Sequence, residues 1–287
     1  MSLIPIRRIF LPLACHGAET QSAEHAAARA AGALAHRFGA SITAFLPLID
    51  PKLSIAYVGE GATGAVIDSM MEAGQTENEA RRTYAEALVK DDLAAAPCAL
   101  AEEAGREVDV LARHVRAHDL AVISRGPADR WTDTGFLALV EALVMDGGRP
   151  LVLAPASTTI DLATPPKSAL IAWTDTAEAA RALSHALALL GPDTKVTLLG
   201  VGPVDLEGPA YLLAAHGFNA AQIPIERPEG GLLDDPTGDA ILKVAEDQKA
   251  DLIVMGAFVH SRLRQMIVGG PTRTLLRESR VPLLLAH

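Results

Sequence analysis

The sequence predicts an α/β protein built from two domains in tandem. Each is expected to be an open, mainly parallel five-stranded sheet with helices on both faces. Three observations lead there. Short apolar runs alternate with longer Ala- and Leu-rich stretches, the pattern of a parallel sheet covered on both sides. The pattern occurs twice: DLAVIS (Asp119 to Ser124) returns as DLIVMG (Asp251 to Gly256), and RPLVLAP (Arg149 to Pro155) returns as VPLLLAH (Val281 to His287). The spacing is also kept, since Asp119 to Pro150 and Asp251 to Pro282 are both 31 positions, which marks an internal duplication.

In the first half, a strand over Ile9–Leu13 leads to an Ala-rich helix from Thr20 to Phe38, closed by Gly39 as a C-cap. Next come a strand at Ser41–Leu48, a helix near Glu77–Leu93, a weak strand near Cys98–Ala101 and a helix near Val108–Ala117. A strand at Leu120–Ser124, a helix at Phe136–Met145 and a strand at Leu151–Leu153 complete it. The second half reads as strand Ala169–Trp173, helix Ala177–Leu190, strand Lys195–Val201, helix Leu206–His216, a weaker strand near Ala221–Ile225 and helix Asp239–Gln248. The last strand–helix–strand unit, Asp251 to His287, follows. Thr176 reads as the N-cap of its helix, with Glu178 in the first turn.

The repeat offset is about 160 at the starts of the halves and 132 at their ends. The first half therefore holds roughly 28 extra residues, placed within Asp50 to Asn78, where Val66-Ile67 and Met70-Met71 fit a helical stripe that covers the domain or meets a partner. Thr, Ser and three prolines from Pro155 to Lys167 mark the linker. We expect one domain at 1–156, with the extra segment near 50–78, and a second at 165–287.

Hydrophobic residues make up 49% of the 287, enough for large cores, and aromatics only 4%, so packing falls to Ala, Leu, Val and Ile. A net charge of −10 argues against non-specific binding to nucleic acid or anionic membrane. Two cysteines, Cys15 and Cys98, supply neither a disulfide framework nor zinc spacing. No stretch approaches the ~20 apolar residues of a membrane helix, and the N-terminus lacks a secretion signal. The expected compartment is the reducing cytoplasm.

The most informative stretch is the last. An apolar run ends in Gly256, a basic loop with His260, Arg262 and Arg264 follows, and Gly269-Gly270-Pro271-Thr272 precedes a helix. Glycines let backbone N–H groups approach an anion, and the helix N-terminus adds a positive dipole end. Arginines suit bidentate contacts to phosphate, or simply a solvated loop. In open parallel sheets ligands lie beyond the carboxyl ends of the strands, where connections diverge. In the second half those ends carry Trp173-Thr174-Asp175-Thr176, Val201-Gly202 and Met255-Gly256.

These residues resemble the universal stress protein family in its tandem two-domain, Rossmann-like form. The family's nucleotide-binding members show G-x2-G-x9-G-[ST] after the fourth strand. Gly256, Val259, Gly269 and Gly270 occupy that frame here, with Val259 in the second glycine's place and Gly270 in that of Ser or Thr. A valine side chain disfavours positive φ and fills space; Thr272 offers a nearby hydroxyl. The family's Asp at the end of the first strand falls on Thr174, with Asp175 one place later. The resemblance implies an adenine nucleotide such as ATP, with Mg2+ accompanying it, held by Ala172, Trp173, Thr174, Val201, Met255, Gly256, His260, Arg262, Gly269, Gly270 and Thr272. It also implies a fifth edge strand that pairs across a dimer. We expect the two fifth strands to pair within this chain, and two chains to associate further as a homodimer.

Shifted by 132, the frame in the first half reads Ser124, Pro127, Leu137 and Ala138, with Ala14 in the Asp slot. Pro127 lacks the N–H an anion needs, so this half is expected to pack and not to bind. Cys15-His16 reads as a small residue at a strand end beside a surface His, ahead of a redox-sensing thiol. His114 and His118, four apart, share a helix face and lack a third metal ligand. The signatures G-x4-G-K-[ST], H-E-x-x-H and G-x-S-x-G are absent. The expected function is a stress-response protein, non-enzymatic or at most hydrolysing ATP slowly. The alternative is a nucleotide-free scaffold or adaptor for a signalling protein.

Overall fold

The computed structural model describes residues 6–13, 21–52, 64–125, 134–158, 160–228, 236–257 and 270–287. In the first half these form β1 (Arg8–Pro12), α1 (Gln21–Phe38), β2 (Ser41–Leu48), α2 (Gly64–Asp92), β3 (Cys98–Ala104), α3 (Glu107–Val115), β4 (Leu120–Arg125), α4 (Thr134–Glu141) running into a π-turn (Ala142–Asp146), and β5 (Leu151–Pro155). The second half forms β6 (Ser168–Trp173), α5 (Ala177–Leu189), β7 (Lys195–Val201), α6 (Glu207–Ala215), β8 (Ala221–Ile225), α7 (Thr237–Asp247), β9 (Leu252–Gly256), α8 (Pro271–Glu278) and β10 (Leu283–Ala286).

All ten strands join one sheet in the order β3-β2-β1-β4-β5-β10-β9-β6-β7-β8. Neighbours are parallel within each half. The two halves meet where β5 and β10 run antiparallel, with Leu283 opposite Leu153, Leu284 opposite Val152 and Leu285 opposite Leu151. The fifth strands thus pair within one chain. Side chains alternate between two apolar layers that both cross this seam. One, under α1, α2, α5 and α6, contains Val152, Ala154, Leu284 and Ala286. The other, under α3, α4, α7 and α8, contains Leu151, Leu153, Leu283 and Leu285.

The duplication persists in the hydrogen bonds. Asp119 Oδ2 accepts from the backbone N–H groups of Arg7 and Arg8 at 2.8 and 2.9 Å. Asp251 Oδ2 accepts from those of Lys167 and Ser168 at 2.8 and 3.2 Å. Each aspartate begins the fourth strand of its half and ties down the start of the first. The apolar runs cannot explain a charge at that place; two otherwise orphaned amides can.

Two arginines of the first half grip helices of the second. Arg37 donates through Nη2 to Leu189 O at 2.6 Å and through Nη1 to Thr164 O at 3.3 Å. Arg125 donates through Nη1 to Leu276 O at 2.7 Å and through Nη2 to Ser279 O at 2.9 Å. Leu189 ends α5 and Leu276 lies in the last turn of α8, so a cation meets the negative, amide-poor end of a helix in both cases.

Two sequence expectations change. The helix expected near Glu77–Leu93 begins at Gly64 and runs 29 residues. At Gly74 a Cβ would stand 2.8 Å from Pro51 Cγ, so this glycine is a contact point inside the helix. The extra segment is therefore partly helical extension: Val66 is exposed and burial begins at Gly74, while residues 53–63 lie outside the described residues. His114 and His118 are also not a simple surface pair. His118, beyond the end of α3, is 5% exposed. Its Nδ1–H donates to His114 O at 3.0 Å, its Nε2 accepts from Thr43 Oγ1 at 2.9 Å, and its ring lies 5.0 Å from Phe10. His114 bonds Glu103 at 2.6 Å and stacks on Phe45 at 4.2 Å.

Burial pushes the His118 ring pKa below the ordinary histidine value, near about 6.5. Its pairing also uses the neutral ring. The unfolded chain therefore binds a proton below about pH 6.5 that the folded chain resists, and stability falls as pH drops through that range. We expect the urea midpoint to decrease from pH 7 to pH 5 and His118→Phe to flatten that slope. An equal slope in the variant would assign the pH dependence to other groups.

Candidate functional site

The connections of the second half diverge between β6 and β9: β6 leads through α5 to β7 on one side, and β9 enters from α7 on the other. The carboxyl ends of β6, β7 and β9 therefore form the expected crevice. Ala172 and Met255 are direct register partners on adjacent strands. With Val201 they belong to the apolar layer under α7 and α8, at 8%, 7% and 3% exposure. Trp173 turns to the opposite layer, under α5. It is thus not on the same face as Ala172, and its buried indole Nε1 has no hydrogen-bond partner.

The chain leaves β6 at Trp173. Thr174 is half-buried and Asp175 exposed, so the carboxylate lies outside the position nearest the strand end. Thr176 has extended backbone angles (φ −135°, ψ 157°) and its hydroxyl accepts from Ala179 N–H at 3.3 Å. It is the N-cap expected from its place before an acidic first turn.

Gly256 has a structural task that the sequence reading missed. A Cβ built there would stand 2.6 Å from Ala179 N and 2.7 Å from Glu178 C. The first turn of α5 crosses directly over this glycine. The matching residue of the first half, Ser124, is also small, and among the described residues its buried hydroxyl has no partner.

Gly270 is the N-cap of α8, with φ 121° and ψ 159°. That conformation is open to glycine alone, which accounts for the missing Ser or Thr. Among the described residues, nothing stands within 4 Å of a Cβ built on Gly270. Its carbonyl accepts from Arg273 and Thr274 N–H at 3.1 and 3.3 Å, closing the first turn. Pro271 at N1 has no N–H to offer; the half-buried Thr272 follows with both an amide and a hydroxyl. Val259, His260, Arg262, Arg264 and Gly269 lie outside the described residues, as do Ala14, Cys15, His16 and Pro127.

The first half is arranged differently at the matching place. Leu137 and Ala138 fall inside α4, which begins at Thr134. Their backbone is in a helix where the second half has Gly270, the N-cap of α8. Among the described residues no group of three or more His, Cys, Asp or Glu is placed to hold a metal ion, and no helix is long and apolar enough to cross a membrane.

A model of the universal stress protein family matches residues 166–287. Over its second half the chain is similar to that family. A universal stress protein of Synechocystis is 41% identical over 46 residues, and the match spans 16% of this chain and 16% of that relative. The solved universal stress protein of Archaeoglobus fulgidus DSM 4304 superimposes with a TM-score of 0.67 at 16% identity, covering 97% of this chain and 95% of that one. A putative universal stress protein of Pseudomonas aeruginosa UCBPP-PA14 gives 0.52 at 13% identity, covering 98% and 93%. At such identities the likeness is one of fold, and it runs through both halves, so the universal stress protein architecture is present in tandem.

If Gly256 serves the approach of α5, Gly256→Ala forces backbone apart whether or not a ligand is present. Overpacking of this kind costs about 1–3 kcal/mol. Thermal unfolding of the variant without nucleotide checks this, and an unchanged melting temperature would return Gly256 to a purely ligand-facing role.

Proposed function

We propose that this chain acts as a universal stress protein and binds an adenine nucleotide, ATP in the first instance, at the strand ends of its second half. The observation that carries the reading is Gly270, which takes a backbone conformation reserved for glycine, has open space beside it among the described residues and starts a helix beside the β6–β9 divergence. Thr272 supplies an amide and a hydroxyl to a phosphate. Ala172, Val201 and Met255 form an apolar floor for a base, with Thr174 at its margin. Gly256 adds the end of β9, the resemblance adds Gly269, His260 and Arg262, and Mg2+ enters with the phosphates. Trp173 supports the site from the opposite face of the sheet. No general base stands beside Thr272 in this reading, so hydrolysis is slow at most. The setting is cytoplasmic stress response.

A second reading has its own support. The space above Gly256 is taken by α5, and Tyr211 and Leu212 on α6 are 73% and 40% exposed. Both suit an adaptor that meets a signalling protein or a second copy without nucleotide.

Denaturing the purified protein, chromatographing what is released and titrating the stripped chain with ATP separate the two. Adenine nucleotide in the extract, or one ATP site per chain, is the expected result. Val259→Gly should then tighten binding about tenfold, near 1.4 kcal/mol. No released nucleotide and no binding heat in either form would establish the adaptor reading instead.

A further inference from the structure

Arg125 ends β4 at the edge where the first half would have its own site, and it is only 9% exposed. Two of its bonds go to the far end of α8, to Leu276 O and Ser279 O. A guanidinium fork meets two carbonyl acceptors at once, where a lysine meets one. Ser279, the C-cap of α8, is fully buried, and its hydroxyl donates to Val281 O at 2.7 Å. The C-terminal end of α8 is therefore fixed on both sides.

α8 has little packing of its own to hold it. It has eight residues and buries only Leu275 and Leu276, and a helix this short does not hold itself in water. Its other end, roughly 12 Å away at 1.5 Å per residue, is the Gly270–Thr272 turn. α5, by contrast, buries six of its own residues and starts on the Thr176 cap.

We propose that Arg125 is a positioning residue for the second half's nucleotide site: the first half, whose matching segment is helical at Leu137 and Ala138, holds the helix on which the other half's anion-binding turn is built. This rests on the nucleotide reading above. The repeat puts Ala257 at the place of Arg125 in the second half, so no guanidinium from that place grips α4 in return. The C-terminal end of α4 is closed within the first half by its π-turn, with Gly147 N–H on Ala142 O at 2.8 Å. Linkage is reciprocal, so bound nucleotide in turn strengthens the attachment of α8 to Arg125.

Arg125→Met and Arg37→Met in the full chain test this together. Both remove a guanidinium that caps a helix across the seam, but only the first belongs to α8. The readouts are ATP affinity by calorimetry and amide hydrogen exchange over residues 271–278. Arg125→Met should weaken ATP about tenfold and speed α8 exchange at least about tenfold. Arg37→Met should change both less than about twofold, even with a lower melting temperature. Arg125→Lys should fall between wild type and Met, and replaces the Met variant where that one does not fold. Wild-type affinity and α8 protection in Arg125→Met would overturn the assignment, as would equal losses in Arg37→Met. If wild-type protein binds no ATP, the nucleotide reading fails, and α8 exchange alone decides whether Arg125 holds the helix.

Discussion

Strands β5 and β10 each have one partner in their own half and one open side carrying a row of backbone donors and acceptors. Their side chains, Leu151, Val152, Leu153, Leu283, Leu284 and Leu285, are at most 1% exposed. An edge this apolar cannot face water without inviting other strands. Joining the two open sides satisfies both rows at once, and the antiparallel register follows because each half arrives with the same internal direction and a twofold-like turn. The rest of the molecule depends on that joint. Both apolar layers run across it, and Arg37 and Arg125 find their carbonyls only because it brings the halves together. At the outer ends of the sheet other devices appear. β8 carries Pro224, which has no N–H to template a new strand, and β3 carries Glu102 and Glu103.

The joint also gives the halves different work. β5 ends where β10 begins, so the carboxyl edge of β4 and β5 lies beside the last turn of α8. In the second half the equivalent edge carries the glycine turn. One edge holds a helix end and the other presents a helix start. A single short helix spans the two, and the charge on Arg125 lies at its negative end, opposite the positive end at Gly270.

Much of this was legible in the residues. Alternation of apolar runs and helical stretches gave the fold class, and the equal spacing of DLAVIS/RPLVLAP and DLIVMG/VPLLLAH gave the repeat, because both depend on local periodicity. Thr176 as an N-cap was legible because capping chemistry is local. What escaped was decided by distant neighbours. The helix expected near Glu77–Leu93 starts thirteen residues earlier, at Gly64, with Gly74 packed on Pro51. Gly256 reads as part of a cradle until α5 is seen crossing it. His118 reads as a surface histidine until Thr43 and Phe10, from other strands, enclose it. Gly270 is intermediate: its departure from Ser or Thr was visible, but the reason, a φ of 121°, belongs to the backbone.

The β5–β10 seam also changes the molecularity of the assembly. Two separate domains pairing through such strands would do so in proportion to their concentration, and every residue at the contact would appear twice, so no change could favour one side. Within one chain the second pairing partner is always present at a fixed effective concentration. Dilution does not open the contact, and a substitution on one side is not repeated on the other. That freedom is what an arginine facing an alanine, at matching places in the two halves, requires: the covalent link turned a symmetric contact into one where each side can specialise.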